Sequence, residues 1–293
     1  VTDIAAGSAN VPTSTATVRK ELRRQLFRSP TFIVGAAIFL FWTLCAIVPD
    51  LFATHDPAAQ SPKDKWIHPF FSQGHILGTD RKGSDVFSRM IHGAREIMLV
   101  APAAVVIGTV IGVVLGLLMG YFGGALDDVV SRVIDALMSL PVILVALLAL
   151  TSLSGGRVTL IVLIGFLFGP IIARTIRAAV FTERNLDYVR AAELRGERST
   201  YIMFIEILPN VLGPIVVEFT VRLGYAVFTM AGLAFIGFGT QPGSPDWGRT
   251  IYEERTGLLS DVWWPCVMPA LALASLVVAI NLIADAIQGL IDR

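Results

Sequence analysis

Four histidines, His55, His68, His75 and His92, and two cysteines, Cys45 and Cys266, are the side chains of this sequence that could hold a transition metal. The histidine spacings of 13, 7 and 17 residues match no compact ligand motif. Both cysteines fall in apolar stretches, where a free thiol reads as a small buried side chain. No metal site is expected. Acid–base chemistry finds no better footing, because Glu218, Asp135 and Asp285 lie in different apolar segments with no histidine near them. A nucleotide-phosphate cradle needs a glycine-rich loop ending in Gly-Lys-Ser/Thr. The nearest fragment, RKGSD at 81–85, lacks the upstream glycine and the Gly-Lys order. No residue is therefore assigned to bond chemistry, and no cofactor is expected on this chain.

The elements that carry these residues are apolar. The chain has 293 residues, is 54% hydrophobic and has a mean hydropathy of +0.69, with 23 basic and 23 acidic residues. Charge-free runs cover 97–122, 136–156, 158–173 and 262–284. A helix needs about 20 mainly apolar residues to cross a bilayer. Two interrupted segments complete a set of six expected spans, at about 31–52, 96–122, 131–152, 158–178, 207–238 and 263–287. An even number puts both termini on one side. The connections on that side carry 13 Lys and Arg against 9 on the other, with Arg222 inside a span. The basic excess marks the termini as cytoplasmic. Residues 1–18, rich in Ser, Thr and Ala, have no long apolar core and read as a disordered tail rather than a secretion signal. The organisation expected is a tail over 1–30, a first span and long outer loop over 31–95, and a five-helix core over 96–293. Nothing in this pattern suits nucleic acid; the lipid bilayer is the expected surrounding.

Within the spans, Gly108, Gly112, Gly116 and Gly120 form a stripe at strict spacing of four. Such a stripe admits close approach of another backbone, either within this chain or from a partner. Glu218 and Arg222 stand four apart, in the favourable acid-first order. Each charge costs about 2.5 to 3.5 kcal/mol at the bilayer centre, so both must face protein or water. They are either a self-paired clamp or a path-lining pair that meets the charged ends of a zwitterion. Pro102, Pro141, Pro170 and Pro214 mark bends, and Trp263 with Trp264 reads as an interfacial anchor.

The fourth connection, TERNLDYVRAAELRGERSTYIMFIEILPN at 182–210, mixes charges of both signs around Ala191, Ala192 and Gly196. It reads as a short amphipathic helix over about 187–200, interrupted by Gly196, or as a solvated loop. The pattern Ala-Ala, three residues, Gly, then Leu208-Pro209 after Ile207 resembles the coupling loop of ABC importer permeases, which docks on a partner ATPase. That family usually has Glu where this chain has Arg190, which makes Arg190 a candidate for a salt link to an acidic groove. ILGTDRKGSDVFSRMIHGARE at 76–96 resembles the outer-loop motif of the dipeptide, oligopeptide and nickel permeases, through Gly78, Thr79, Asp80, Asp85 and Arg89. Ser84 stands where that motif usually has Arg. Residues 236–251 and 263–293, with Asn281 and Asp285, are similar to the last loop and final span of the same subfamily. The fragment LSGGR at 153–157 looks like the signature of the ATPase subunits themselves, but without a phosphate cradle it reads as a glycine turn between helices.

The resemblance implies an all-α membrane protein with six transmembrane helices and the type I ABC importer permease fold, as the C-type subunit of a heterodimer in a bacterial plasma membrane. It implies a homologous permease partner, one or two ATPase subunits carrying ATP and Mg, and an extracytoplasmic binding protein. The cargo implied is small peptides; nickel chelates or glutathione-like solutes are the alternative, and the absence of a His or Cys cluster in the spans favours peptides. An ion-gradient-driven transporter would show repeated halves, and no internal repeat is seen.

Overall fold

The computed structural model describes residues 24, 26–70, 74–153 and 156–291. The whole 1–18 tail and the centre of the LSGGR turn, Ser154 and Gly155, lie outside the described residues. Among the described residues, nine principal helices follow one another: α1 Pro30–Ile47, α2 Val86–Phe122, α3 Gly124–Met138, α4 Val142–Ser152, α5 Arg157–Arg184, α6 Asp187–Leu194, α7 Leu212–Phe235, α8 Trp247–Glu254 and α9 Trp264–Ile291. Among the described residues there is no β-strand, only an isolated bridge between Thr79 and Asp85.

Among the described residues five helices, α1, α2, α5, α7 and α9, are long and apolar enough to cross a bilayer, and α3 with α4 makes a sixth span if taken together. That third span departs from the continuous helix expected over 131–152. It is two helices bent by 81°. Pro141 supplies the cause: it has no N–H to donate and sits in extended geometry at φ −60° and ψ 118°, which disfavours helix in the residue before it. Helix continues through Pro102 in α2 and Pro170 in α5, and Pro214 sits in the first turn of α7, so of the four prolines only Pro141 coincides with a break.

The second span is also longer than its charge-free run. α2 starts ten residues earlier than expected, because the Asp85 carboxylate caps it by accepting from the Ser88 amide at 2.8 Å. The 95/96 boundary between outer loop and core therefore falls inside a helix. The fifth span begins at Leu212 rather than 207, preceded by a π-helical turn at Ile202–Ile207.

The glycine stripe is used inside the chain. α2 and α5 form the most extensively packed pair. A Cβ at Gly112, Gly116 or Gly120 would lie 2.5, 2.7 and 2.7 Å from Ile172, Ile176 and Val180 respectively. Gly165 and Gly169 of α5 return the arrangement, facing Ile107 and Ile111 of α2. Where lipid gives no hydrophobic drive for association, this backbone approach supplies the dispersion contacts that hold two helices together. α1 docks in the same way, with Gly35 against the Ala279 carbonyl and Leu282 of α9.

Candidate functional site

The helix expected over 187–200 exists but is shorter. α6 starts with Asp187 at its first position, a favourable charge for the helix dipole. It ends where Gly196 takes the left-handed conformation at φ +79°. The Glu197 amide then reaches the Ala192 carbonyl at 3.2 Å and the Gly196 amide reaches Glu193 at 2.9 Å, the paired bonds of a Schellman cap. Gly196 thus stops the helix for a backbone reason, and a Cβ there would meet nothing within 4 Å.

Arg190, Ala191 and Gly196 are exposed, as a docking surface requires. Ala192 is not: it is fully buried against its own chain, so of the two alanines in the coupling-loop pattern only Ala191 is open to a partner. Successive residues on a helix point 100° apart, so three in a row cannot share one face, and Ala192 is the one turned inward. Leu208 is half-buried and Pro209 exposed, just beyond the π turn. The structure adds Leu194, an apolar side chain 90% exposed at the tip of α6.

α6 is tied to both spans that flank it. The Tyr188 hydroxyl donates to Glu183 Oε2 at the end of α5 at 2.7 Å and accepts from Asn210 Nδ2, just ahead of α7, at 3.1 Å. Burial, followed by the bond to Glu183, pushes the Tyr188 hydroxyl up to about 12, so it stays a donor. Sequence reasoning passed over Tyr188 because its two partners lie on other elements.

At the opposite end of the bundle the outer-loop motif is a polar knot. Gly78 has φ +72°, and a Cβ there would lie 2.3 Å from the Ile67 carbonyl, so only glycine fits. Thr79 is fully buried; its hydroxyl accepts from the Ile67 amide at 2.8 Å and donates to the Asp64 carbonyl, and its carbonyl accepts from Trp264 Nε1 at 3.0 Å. Asp80 accepts from the Lys82 and Ser84 amides at 2.8 and 2.9 Å. Arg89 lies 3.5 Å from Asp80 and donates to the Gly243 and Ser244 carbonyls at 3.4 and 3.2 Å. The motif therefore fastens the long loop to α2, to the segment before α8 and to α9. Trp264 is consumed by this knot, which leaves Trp263, 40% exposed, as the anchor residue of the pair.

Beside the knot is an open cavity of about 570 Å³, lined in part by Glu96, Arg157, Met230 and residues 239–244. Glu96 and Arg157 are ion-paired across it, with Arg157 Nε 3.0 Å from Glu96 Oε2. Near by, Asp246 caps α8 by accepting from the Arg249 amide at 2.8 Å, while its other oxygen is buried without a partner. Burial is the main cause that raises its carboxyl to about 6, above the ordinary carboxylate range. The folded chain thus holds this proton more tightly than the unfolded chain does. Its stabilising contribution is complete below about pH 4 and is lost as pH rises through about 6, an effect of roughly 3 kcal/mol. Asp246→Asn keeps the cap and removes the titration. Its melting temperature in detergent, relative to the wild type, is expected to rise between pH 5 and 7.5; parallel curves would exclude this role.

Glu218 and Arg222 meet on α7: Arg222 Nε and Nη2 both donate to Glu218 Oε1, at 2.8 and 2.6 Å, and both side chains are largely shielded. Removing one partner strands the other charge, at a cost of about 3 to 5 kcal/mol for a buried pair. Glu218→Gln is expected to lower the amount of chain in the membrane, and Glu218→Gln with Arg222→Gln to restore it. Normal amounts in the single variant, with uptake lost, would mark the pair as path-lining instead.

Among the described residues, five long apolar helices and a broken sixth define a polytopic membrane protein, with an exposed short helix between α5 and α7. The chain belongs to the family of binding-protein-dependent transport system inner membrane components, whose pattern it matches over residues 112–293. Residues 17–69 match the N-terminal transmembrane domain of oligopeptide transport permease C. It is similar to the dipeptide transport system permease protein DppC of Escherichia coli strain K12, 36% identical over 289 residues, covering 97% of this chain and 95% of that protein. It is 32% identical over 277 residues to the di/tripeptide transport system permease protein DppC of Pseudomonas aeruginosa strain UCBPP-PA14, covering 93% and 91% of the two chains. Among solved structures, a chain of the inward-facing MetNI methionine ABC transporter matches with a TM-score of 0.57 at 22% identity, covering 70% of this chain and 97% of that one. That likeness concerns the fold: the type I importer permease.

Proposed function

We propose that this chain is the permease subunit of an ATP-driven importer that moves small peptides from an extracytoplasmic binding protein into the cytoplasm. The observation that carries the coupling role is α6. It presents Arg190, Ala191, Leu194 and Gly196 outward, and through Tyr188 it is bonded to the spans on both sides. A partner ATPase seated on that surface can displace α5 and α7 together. ATP and Mg belong to that partner, and this chain contributes no bond-making residue. The relatives' di- and tripeptide cargo supports the choice of peptides.

In this reading the α6 end of the bundle is cytoplasmic, as are both termini, and the knot faces the binding protein. A homologous permease subunit completes the path. ATP binding closes the ATPases, moves α6 and shifts the pair between inward and outward access. The test is ATP hydrolysis by the assembly that co-purifies with this chain, with and without short peptides and the binding protein. Hydrolysis stimulated by peptide supports the reading. An assembly without an ATPase, or one indifferent to peptide, counts against it.

A further inference from the structure

The long loop brings together three side chains from three separate segments. His55 follows the short helix Pro49–Phe52, His75 lies twenty residues on, and Asp85 is the cap of α2. His75 Nδ1 is 2.9 Å from Asp85 Oδ1, and His55 Nδ1 is 3.9 Å from Asp85 Oδ2. The two imidazoles are stacked, with centroids 4.4 Å apart at 27°. One ligand atom from each of the three residues lies within 4.8 Å of the others.

We propose that His55, His75 and Asp85 form a zinc site that pins the long loop to the start of the second span. Ligands at about 2.0 to 2.2 Å around a tetrahedral ion stand about 3.3 to 3.5 Å apart. The His75–Asp85 distance is already close to that. The wider separation closes if His55, 37% exposed, turns its Nδ1 from the Thr54 hydroxyl, 3.0 Å away, toward the ion. Two imidazoles and one carboxylate select a d-block cation over calcium or magnesium, which take mostly oxygen ligands. The fourth position is left to water on the exposed side of His55.

The carboxylate is prepared for this role. Asp85 is almost fully buried. Its Oδ2 is held by the Ser88 amide at 2.8 Å and the Thr54 hydroxyl at 3.4 Å, which leaves Oδ1 directed at His75. Such outer bonds orient a ligand before the metal arrives. The Ser88 hydroxyl also accepts from the Thr54 and His55 amides, at 3.1 and 2.9 Å, so the backbone that presents His55 is fixed on α2 as well. A metal there would bind three chain points that hydrogen bonds and ring stacking now join, and binding to the folded state alone raises stability by mass action.

The experiment uses the intact assembly containing this chain, free of any affinity tag, stripped with a chelator and then given zinc chloride or cobalt chloride alone. The expected result is one zinc per copy of the chain after desalting, visible absorption of four-coordinate cobalt, and a melting temperature that rises with zinc. His55→Gln and His75→Gln should each weaken zinc binding at least about tenfold, as loss of even an outer-shell partner does. His92→Gln, on the same end of the chain but paired with Asp50, should leave it unchanged. No zinc on the wild type, or equal zinc on the wild type and the His55→Gln variant, would overturn the site. If His75→Gln fails to accumulate, His55→Gln decides alone, because its half-exposed ring carries little of the fold. None of these readouts depends on the cargo or on the ATPase.

Discussion

Gly112→Leu is expected to cut the amount of folded chain in the membrane at least tenfold. The Cβ of any larger residue would lie 2.5 Å from both Cβ and Cγ2 of Ile172 and 3.0 Å from the Ala173 amide nitrogen. These are stiff atoms: a branched carbon beside the backbone and the backbone itself. The clash cannot be relieved by turning a flexible side-chain end, so α2 and α5 must separate. Overpacking of a tight core costs about 1 to 3 kcal/mol, and here the displaced pair is the main internal contact of the bundle. Ile172→Ala added to Gly112→Ala should recover much of the loss, since the two changes exchange volume across one contact. Gly232→Leu on α7, where an added Cβ meets nothing within 4 Å, serves as the control. Equal amounts of the Gly112 and Gly232 leucine variants, measured by immunoblot of membranes, would refute the packing account.

Gly196→Arg should behave in the opposite way, with normal insertion and uptake reduced tenfold or more. The site has open space around it, so a new side chain meets no atom of this chain. The left-handed backbone costs about 1 to 2 kcal/mol for a residue with a Cβ, too little to unfold the chain. The guanidinium would project from the surface beside Leu194, where the proposed ATPase partner would dock. Ten-fold weaker docking needs only about 1.4 kcal/mol. The measurement is peptide uptake into vesicles set against ATP hydrolysis by the same assembly. Unimpaired uptake would remove α6 and its cap from the coupling role.

Part of this architecture is legible in one sequence because it follows from local chemistry. Charge-free runs mark spans, Gly196 marks a helix end, and the four glycines mark a close contact, although their spacing alone does not say with which helix. The motif groups Ala192 with Ala191, and which of the two faces inward depends on what α6 packs against. Pro141 marked a bend, yet the size of the turn depends on what α3 packs against. Its acids reach α5, where Asp127 and Asp135 bond Arg177 and Arg174. The histidines were beyond reach in principle. His55 and His75 meet only because the loop folds back on the cap of α2, and no spacing along the chain encodes that return. Tyr188 is similar: one partner precedes it at the end of α5 and the other follows it in the turn before α7.

The length of α2 has a mechanical consequence. Its 37 residues make a rod of about 55 Å, against about 30 Å of hydrocarbon. One end is rooted in the knot through Asp85 and Arg89, and the other packs beside the last turns of α5. A tilt of only about 5° about its midpoint would carry the two ends roughly 2 Å in opposite directions. Such a rod would act as a see-saw: in the proposed transport cycle, a displacement at its inner end would reach the far surface reversed in sign, without any change in the helix itself.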